Sequence, residues 1–382
     1  MISTNQGYRE LPTGVIKIFF LNWPLLLLIL SAACFGFTIL YSVSDGNLDP
    51  WARPQIIRFG FGFLLIIIIG LIHINFWKKT SSAVYILTLI SVALVPYVGI
   101  TGGGAQRWLD LKVIQIQPSE LIKVGLVMFL ARYYDWLEPG RRSKPFWVII
   151  PLIIILVPSI LVIGQPDLGT GILILFIGIC MMFLAGVNLW YFIVGISLMP
   201  IMIFTLWYSR GTPWQFLKDY HYRRIDTFLD PSLDPLGIGY HITQSKIALG
   251  SGGLTGRGFM QGTQSQLNFL PRNHTDFIFT TLAEEFGFFG AMGLLIIYGF
   301  IVLLSSISAI TNKNRFGALL TGGLTINFFA YFSVNIGMVM GLAPVVGVPL
   351  PLISYGGSAM IVLMISFGLI QSSHVHRLRY KI

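Results

Sequence analysis

Long apolar runs broken by short polar connections set the rhythm of this chain. Ten of them reach the ~20 residues that a helix needs to cross the hydrocarbon core of a bilayer: residues 22–41, 56–75, 82–100, 119–136, 147–164, 169–186, 189–208, 277–310, 316–337 and 357–375. A membrane barrel would instead show ~10-residue segments of alternating polarity. The pattern predicts an all-α integral membrane protein of ten transmembrane helices, built as one polytopic domain over residues 1–382. One connection stands apart from the rest. Residues 209–276 form a segment far longer than a turn, and their aromatic content argues for an ordered loop. Tyr222, Ile225, Phe228 and Leu229 recur at helical spacing and predict a short amphipathic helix at the membrane surface, ended by Asp230-Pro231 and Asp234-Pro235. A second amphipathic piece, Ile238 to Leu249, leads into the Gly-rich run Gly250 to Gly258. Between the last two spans, Pro344 to Gly357 holds too many prolines and glycines to continue a helix, yet is too apolar for a solvated loop. It is predicted to fold back toward the membrane, buried in protein.

Composition agrees with the pattern and settles the class. Apolar residues make up 55% of the chain and charged ones 10%, whereas water-soluble domains carry about 25% charged residues. Cys34 and Cys180, both inside apolar runs, build neither a disulfide framework nor a thiolate metal site. The first apolar run lacks a small-residue cleavage pattern, so it is expected to stay as an anchor. An even number of spans puts both termini on one side. Lys78, Lys79, Arg141, Arg142, Lys144, Lys313, Arg315, Arg377, Arg379 and Lys381 share that side, which is therefore the cytoplasmic one. It holds 13 Lys and Arg against three acids, and the outer side 12 against 12. The net charge of +10 thus reflects orientation against an anionic inner leaflet and gives no reason to expect nucleic acid. Trp23, Trp51, Trp77, Trp136, Trp147, Trp190 and Trp207 fall near span ends, where indole prefers the headgroup level.

Ionisable groups at membrane depth cost roughly 2.5–3.5 kcal/mol each to insert, so they mark candidate sites. They gather on the outer side: Arg107, Asp110, Glu120, Lys123, Asp167, Arg210, Arg223, Arg224, Lys246, Arg257, Asp276, Glu284 and Glu285. Glu120 and Lys123, three apart, share a helix face, as a neutralised structural pair or as part of a ligand site. Asp167 either caps the sixth span or takes part in chemistry. Asp276 faces the same alternative before the eighth span, where a carboxylate beside Arg272 and His274 could take a proton from a hydroxyl within hydrogen-bond reach. No G-x-x-x-x-G-K-[ST] or H-E-x-x-H occurs, and the Gly-rich run misses G-x-G-x-x-G because Thr255 stands at the third glycine. The six histidines offer no zinc set by spacing, and His374 and His376 are expected to form a solvated tail.

Five strings together resemble one known family. Gly102 to Leu109, Gln117 to Lys123, Gln165 to Gly169, His274 to Phe279 with Glu284-Glu285, and Pro349 to Ser358 are similar, in content and order, to the motifs of the SEDS family (shape, elongation, division and sporulation). Gly337 to Pro349 resembles its elongation branch; the division branch tends to carry Lys-Gly where this chain has Val346-Gly347. The resemblance implies a peptidoglycan glycosyltransferase in the bacterial cytoplasmic membrane. Such an enzyme polymerises lipid II, an undecaprenyl-pyrophosphate-linked disaccharide-peptide, at the outer face with inversion, for cell elongation and rod shape. It also implies partners: a class B penicillin-binding transpeptidase and other membrane proteins of the elongation complex. Asp276 matches the essential aspartate of the family, and Arg107, Glu120 and Lys123 match positions near its substrate cavity. On that basis Asp276 is the candidate base and Arg107, Lys123, Arg223 and Lys246 are candidate pyrophosphate contacts, since guanidinium and ammonium groups stabilise charge on phosphate oxygens. Asp167 joins the substrate-binding set. A divalent cation, Mg or Mn, would share that work, although spacing reveals no ligand set. Arg272-Asn273 departs from the family pattern, which often has an acid before His-Thr-Asp. Competing readings are a lipid II flippase, which would move substrate without forming glycosidic bonds, the division paralogue, and a scaffold, which leaves the outer charges unexplained.

Overall fold

The computed structural model describes residues 14–102, 105–110, 115–235, 237–267, 269 and 273–377. A helix stands at each of the ten positions predicted from hydropathy: α1 (Trp23–Val43), α2 (Ala52–Leu71), α3 (Ile74–Val98), α4 (Pro118–Trp136), α5 (Pro145–Gly164), α6 (Leu168–Leu184), α7 (Leu189–Tyr208), and later α11 (Ile278–Ile310), α12 (Arg315–Val339) and α13 (Gly357–Val375). Helix α3 begins well before the predicted start at 82, because Lys78 and Lys79 can lay their apolar stems along the helix and keep their ammonium groups in the wet headgroup layer. Eight of the ten are long and apolar enough to cross a membrane. Of the other two, α6 has only 17 residues, and α4 carries Glu120, Lys123, Arg132 and Asp135.

The centre of the bundle is made by α4, α12 and α13, whose residues are mostly buried, whereas α7 buries none of its residues. Between α11 and α12 the aromatic rings of Tyr298, Phe328 and Phe332 pack at 5.0–5.6 Å between centroids. The long loop supplies α8 (Asp219–Leu229), α9 (Ile238–Ser251) and the single turn α10 (Thr263–Gln266). Helix α8 lies where the apolar spacing predicted it and ends at Asp230. Its buried face is His221, Tyr222 and Thr227, while Leu229, expected on that face, is 67% exposed.

Helix α11 is broken at Gly287, whose φ of 65° is left-handed. The Gly-rich run closes over this break: Arg257 N donates to Glu284 O and Gly258 N to Glu285 O, both at 3.0 Å, and Phe288 N and Phe289 N donate to Gly253 O and Leu254 O at 2.9 and 3.1 Å. Backbone groups freed at a kink in the membrane must find partners in protein, and these are the partners. A methyl at Gly256 would sit 2.0 Å from Glu285 O, so the approach needs glycine. The run is a backbone clasp.

The segment 340–356 is non-helical, and Val348, Leu350, Leu352, Ile353 and Ser354 are buried. Its backbone is served from every side. Asn335 Nδ2 donates to Val348 O at 2.6 Å, Gln55 Nε2 to Ser354 O at 2.9 Å, and Tyr298 OH to Pro351 O. Such bonds are what let irregular backbone persist inside a membrane protein.

One expectation is corrected and two readings are extended. The connection between α3 and α4 is no plain loop: β1 (Ile100–Gly102), β2 (Ala105–Asp110) and β3 (Gln115–Ile116) form a small antiparallel sheet in that order. The histidine tail is not solvated. His376 is 5% exposed and packs against His73 with ring centroids 4.5 Å apart and the planes tilted by 49°, while His374 Nδ1 meets Ser308 Oγ at 2.7 Å. Trp51 does more than mark a headgroup boundary, because its ring stacks on His274 at 3.9 Å. Arg379, Lys381 and Arg272 lie outside the described residues.

Candidate functional site

Four separate elements bring charge together at the end of the bundle that carries the long loop. Strand β2 holds Arg107, the turn between α5 and α6 holds Asp167, α8 holds Arg224, and the turn before α11 holds Asp276. Asp167 caps α6 by accepting from Thr170 N at 3.3 Å, receives Gln117 Nε2 at 3.3 Å, and pairs with Arg107 Nη1 at 3.8 Å. Arg107 also donates to Pro166 O. The capping reading of Asp167 therefore holds, and the same carboxylate anchors Arg107.

Arg224 lies among Arg107, Asp167, Tyr220 and Asp276: burial and the Arg107 charge push its pKa down, while the Asp167, Tyr220 and Asp276 groups raise it. His221, buried beside it, is pushed down to about 4, first by burial and then by Arg224, Lys218 and Arg107. The two guanidinium groups at this mouth are the groups suited to an anionic ligand. Arg223, chosen from sequence as the phosphate contact on this helix, is exposed, and Arg224 is the residue at the cluster. Lys246 is also exposed, its ammonium end lying across Gly341.

Asp276 is 9% exposed, and its carbonyl accepts from Asn335 Nδ2 at 2.9 Å. The N-cap of α11 is Phe277, and that position supplies no side-chain cap, so Asp276 stands one residue ahead of the cap it was weighed as. Gly347, with φ of 72°, faces it: a methyl there would lie 3.6 Å from Asp276 Oδ2. Any longer side chain would crowd the carboxylate. Next to this turn, Tyr355 N donates to His274 O at 2.9 Å, which ties the returning segment to the site.

Glu120 and Lys123 are placed differently. Lys123 Nζ is 2.9 Å from Glu120 Oε1, both groups also bond Tyr331 OH, and Lys123 lies 3.9 Å from the Tyr331 ring centroid. Lys123 is 1% exposed, and the cavity beside the pair is about 30 Å3, far below the ~300 Å3 of a small-molecule site. Asp167 lies within electrostatic range of both Lys123 and Tyr331. Glu284 and Glu285 also serve the framework. Glu284 accepts from Gln264 N at 2.9 Å and Ser265 N at 3.4 Å, capping α10, and Glu285 accepts from Ser42 Oγ.

A groove of about 610 Å3 opens between α2, α13 and the small sheet. Arg58, Asp110, Gln115, Tyr355 and Ser358 supply its polar groups and Ile57, Phe61, Trp108 and Ile361 its apolar wall. Arg58 lies 4.8 Å from the Tyr355 ring centroid, and its Nη1 is buried without a hydrogen-bond partner. Sequence reasoning passed over Arg58, Tyr331 and Asn335. Arg58 carried a signal, a cation two turns into an apolar helix; the other two had none. Among the described residues no three His, Cys, Asp or Glu groups converge to hold a metal ion.

The comparisons with known proteins agree with this fold. Residues 16–379 match the family described as Cell cycle protein, which unites FtsW, RodA and SpoVE. Peptidoglycan glycosyltransferase MrdB of Escherichia coli strain K12 is 41% identical over 360 residues, 94% of each chain. A probable peptidoglycan glycosyltransferase FtsW of Aliivibrio salmonicida is 36% identical over 306 residues, 78% of this chain and 73% of its own. A chain from a solved peptidoglycan synthase complex, described as coordinating polymerization and crosslinking, superposes with a TM-score of 0.80 at 28% identity, covering 94% of this chain and 99% of its own.

Proposed function

The chain belongs to the FtsW/RodA/SpoVE (SEDS) family and is a peptidoglycan glycosyltransferase of the bacterial cytoplasmic membrane; from that premise we propose that it polymerises lipid II at the outer face, with Asp276 as the base. The observation that carries the proposal is the convergence of Asp276, Asp167, Arg107 and Arg224 from four elements at one mouth. A sugar 4-hydroxyl attacks the anomeric carbon of the lipid-linked sugar. The new C–O bond forms as the bond to undecaprenyl pyrophosphate breaks, the leaving phosphate takes the electron pair, and the hydroxyl proton passes to the Asp276 carboxylate. Arg107 and Arg224 stabilise the charge that grows on the pyrophosphate. Lys246 and Arg223, both exposed, attract it at longer range. The groove under Arg58 takes the polyprenyl end, with Ile57, Phe61 and Ile361 against the chain. Glu120, Lys123 and Tyr331 hold α4 to α12 and support Asp167.

Both termini are cytoplasmic in this proposal, and residues 209–276 face outward. A cysteine at position 218 is then labelled by an impermeant reagent on whole cells, and one at 313 is not. The partner is a class B penicillin-binding transpeptidase within the elongation complex, a reading supported by the structural relative's place in a synthase complex. The deciding experiment is polymerisation of labelled lipid II by purified protein. Polymer from the wild type and none from Asp276→Asn supports the proposal; transbilayer movement of lipid II without new glycosidic bonds selects the flippase instead.

A further inference from the structure

We propose that the opposite end of the bundle, where α3 begins and α4 ends, binds an anionic phospholipid, with its phosphate at Arg132 and an acyl chain along the aromatic side of α4. A cavity of about 450 Å3 lies between these helix ends, far from any residue used above for catalysis. One wall is polar. Arg132 Nη1 donates to Lys79 O at 3.0 Å and to Ser82 Oγ at 3.1 Å, which fixes the guanidinium. Its Nε and Nη2 make no hydrogen bond among the described residues. Asp135 is the carboxylate of the cavity, and it is already shared: Lys78 pairs with it directly, and Arg315 lies within electrostatic range of it. The balance of charge is therefore positive. The other wall is Phe129, Tyr133 and Trp136, the last 68% exposed. A held cation beside a strip of aromatic rings at a span end matches a molecule with a charged head and an apolar tail. Basic pockets between membrane helices on the side with the basic loops recognise anionic lipid headgroups in this way. A free phosphate ion would use the cation and leave the rings idle.

The test uses full-length protein in detergent, stripped of lipid and titrated with brominated phosphatidylglycerol, brominated phosphatidylcholine or free glycerol 3-phosphate. Quenching of Trp136 fluorescence is read against the Trp136→Phe variant. Phosphatidylglycerol is expected to quench Trp136 at concentrations at least about fivefold lower than phosphatidylcholine, the preference that one cation near anionic lipid confers. Arg132→Gln, which keeps an amide to reach Lys79 O, should abolish the preference, and Arg132→Lys should retain it. Asp135→Asn frees Lys78 and should strengthen the preference about fivefold more; a merely structural cluster would weaken with both substitutions. Equal quenching by the two lipids, a preference that survives Arg132→Gln, or displacement of phosphatidylglycerol by glycerol 3-phosphate would each overturn the lipid site, the last in favour of a free-phosphate site.

Discussion

Two charged clusters meet at Asp167, and they are built on opposite principles. At the mouth, Asp276, Arg224 and Arg107 come from a turn, a loop helix and a strand, and His221 beside them is held neutral first by burial and then by the neighbouring positive charges. Inside the bundle, Glu120, Lys123 and Tyr331 bond one another and leave a cavity of about 30 Å3. The first cluster balances two carboxylates against two guanidinium groups held on four separate elements; the second closes on itself inside the bundle. In the proposed mechanism that difference separates charge kept for a ligand from charge kept for the fold, and the type of residue alone would not have told them apart.

The comparison can be broken most directly at Lys123. Lys123→Met strands the Glu120 carboxylate in the bundle and should destabilise the protein by about 3–5 kcal/mol. The double variant Lys123→Met with Glu120→Gln should recover most of that loss in thermal unfolding. If the double variant is as unstable as the single one, the pair is not self-cancelling.

Asp276→Asn should do the reverse, lowering lipid II polymerisation by at least ~100-fold, the lower end for a lost general base, with the unfolding temperature nearly unchanged. Asp276→Glu should also be slow, because misplacing a reacting group by about 1 Å can cost ~100-fold. Near wild-type polymerisation by the Asn variant would send the search for the base to Asp167, the other carboxylate at the mouth.

Neighbouring arginines of α8 offer a sharper and smaller contrast. Arg224→Gln should reduce kcat/KM by about tenfold or more, the worth of a charge-assisted bond, whereas exposed Arg223→Gln should change it less than about twofold if it acts only through screened charge. Equal losses would dissolve the distinction.

The smallest effect is a pH dependence of the loop. His221 has a folded pKa of about 4 against its ordinary 6.5, so the unfolded helix takes up the proton first as pH falls. The stabilisation is complete above pH 6.5, declines between 6.5 and 4, and is gone below the folded value. The protection of 219–229 in hydrogen exchange, taken relative to the intrinsic rate at each pH, should therefore fall from pH 7.5 to pH 5, and His221→Gln should flatten the trend.

Much of this protein follows from sequence alone. Runs of apolar residues near the length of a bilayer leave a chain little choice but spanning helices, because unpaired backbone groups are costly in hydrocarbon. The same logic made the prolines and glycines of 344–357 legible as a buried return. Glu120 and Lys123 were legible as a pair because three residues on a helix bring side chains to one face. Tertiary structure decided the rest. Tyr331 joins that pair from a helix some 200 residues away, Asn335 pins Asp276 and Val348 together, and Arg224 replaces Arg223 because the packing of α8 turns one of two adjacent arginines toward Arg107 and Asp167. The small sheet that aims Arg107 and the clasp over Gly287 belong to the same class. Periodicity tells a residue which neighbours it has on its own element; which other element faces it depends on how helices pack, and no local pattern encodes that.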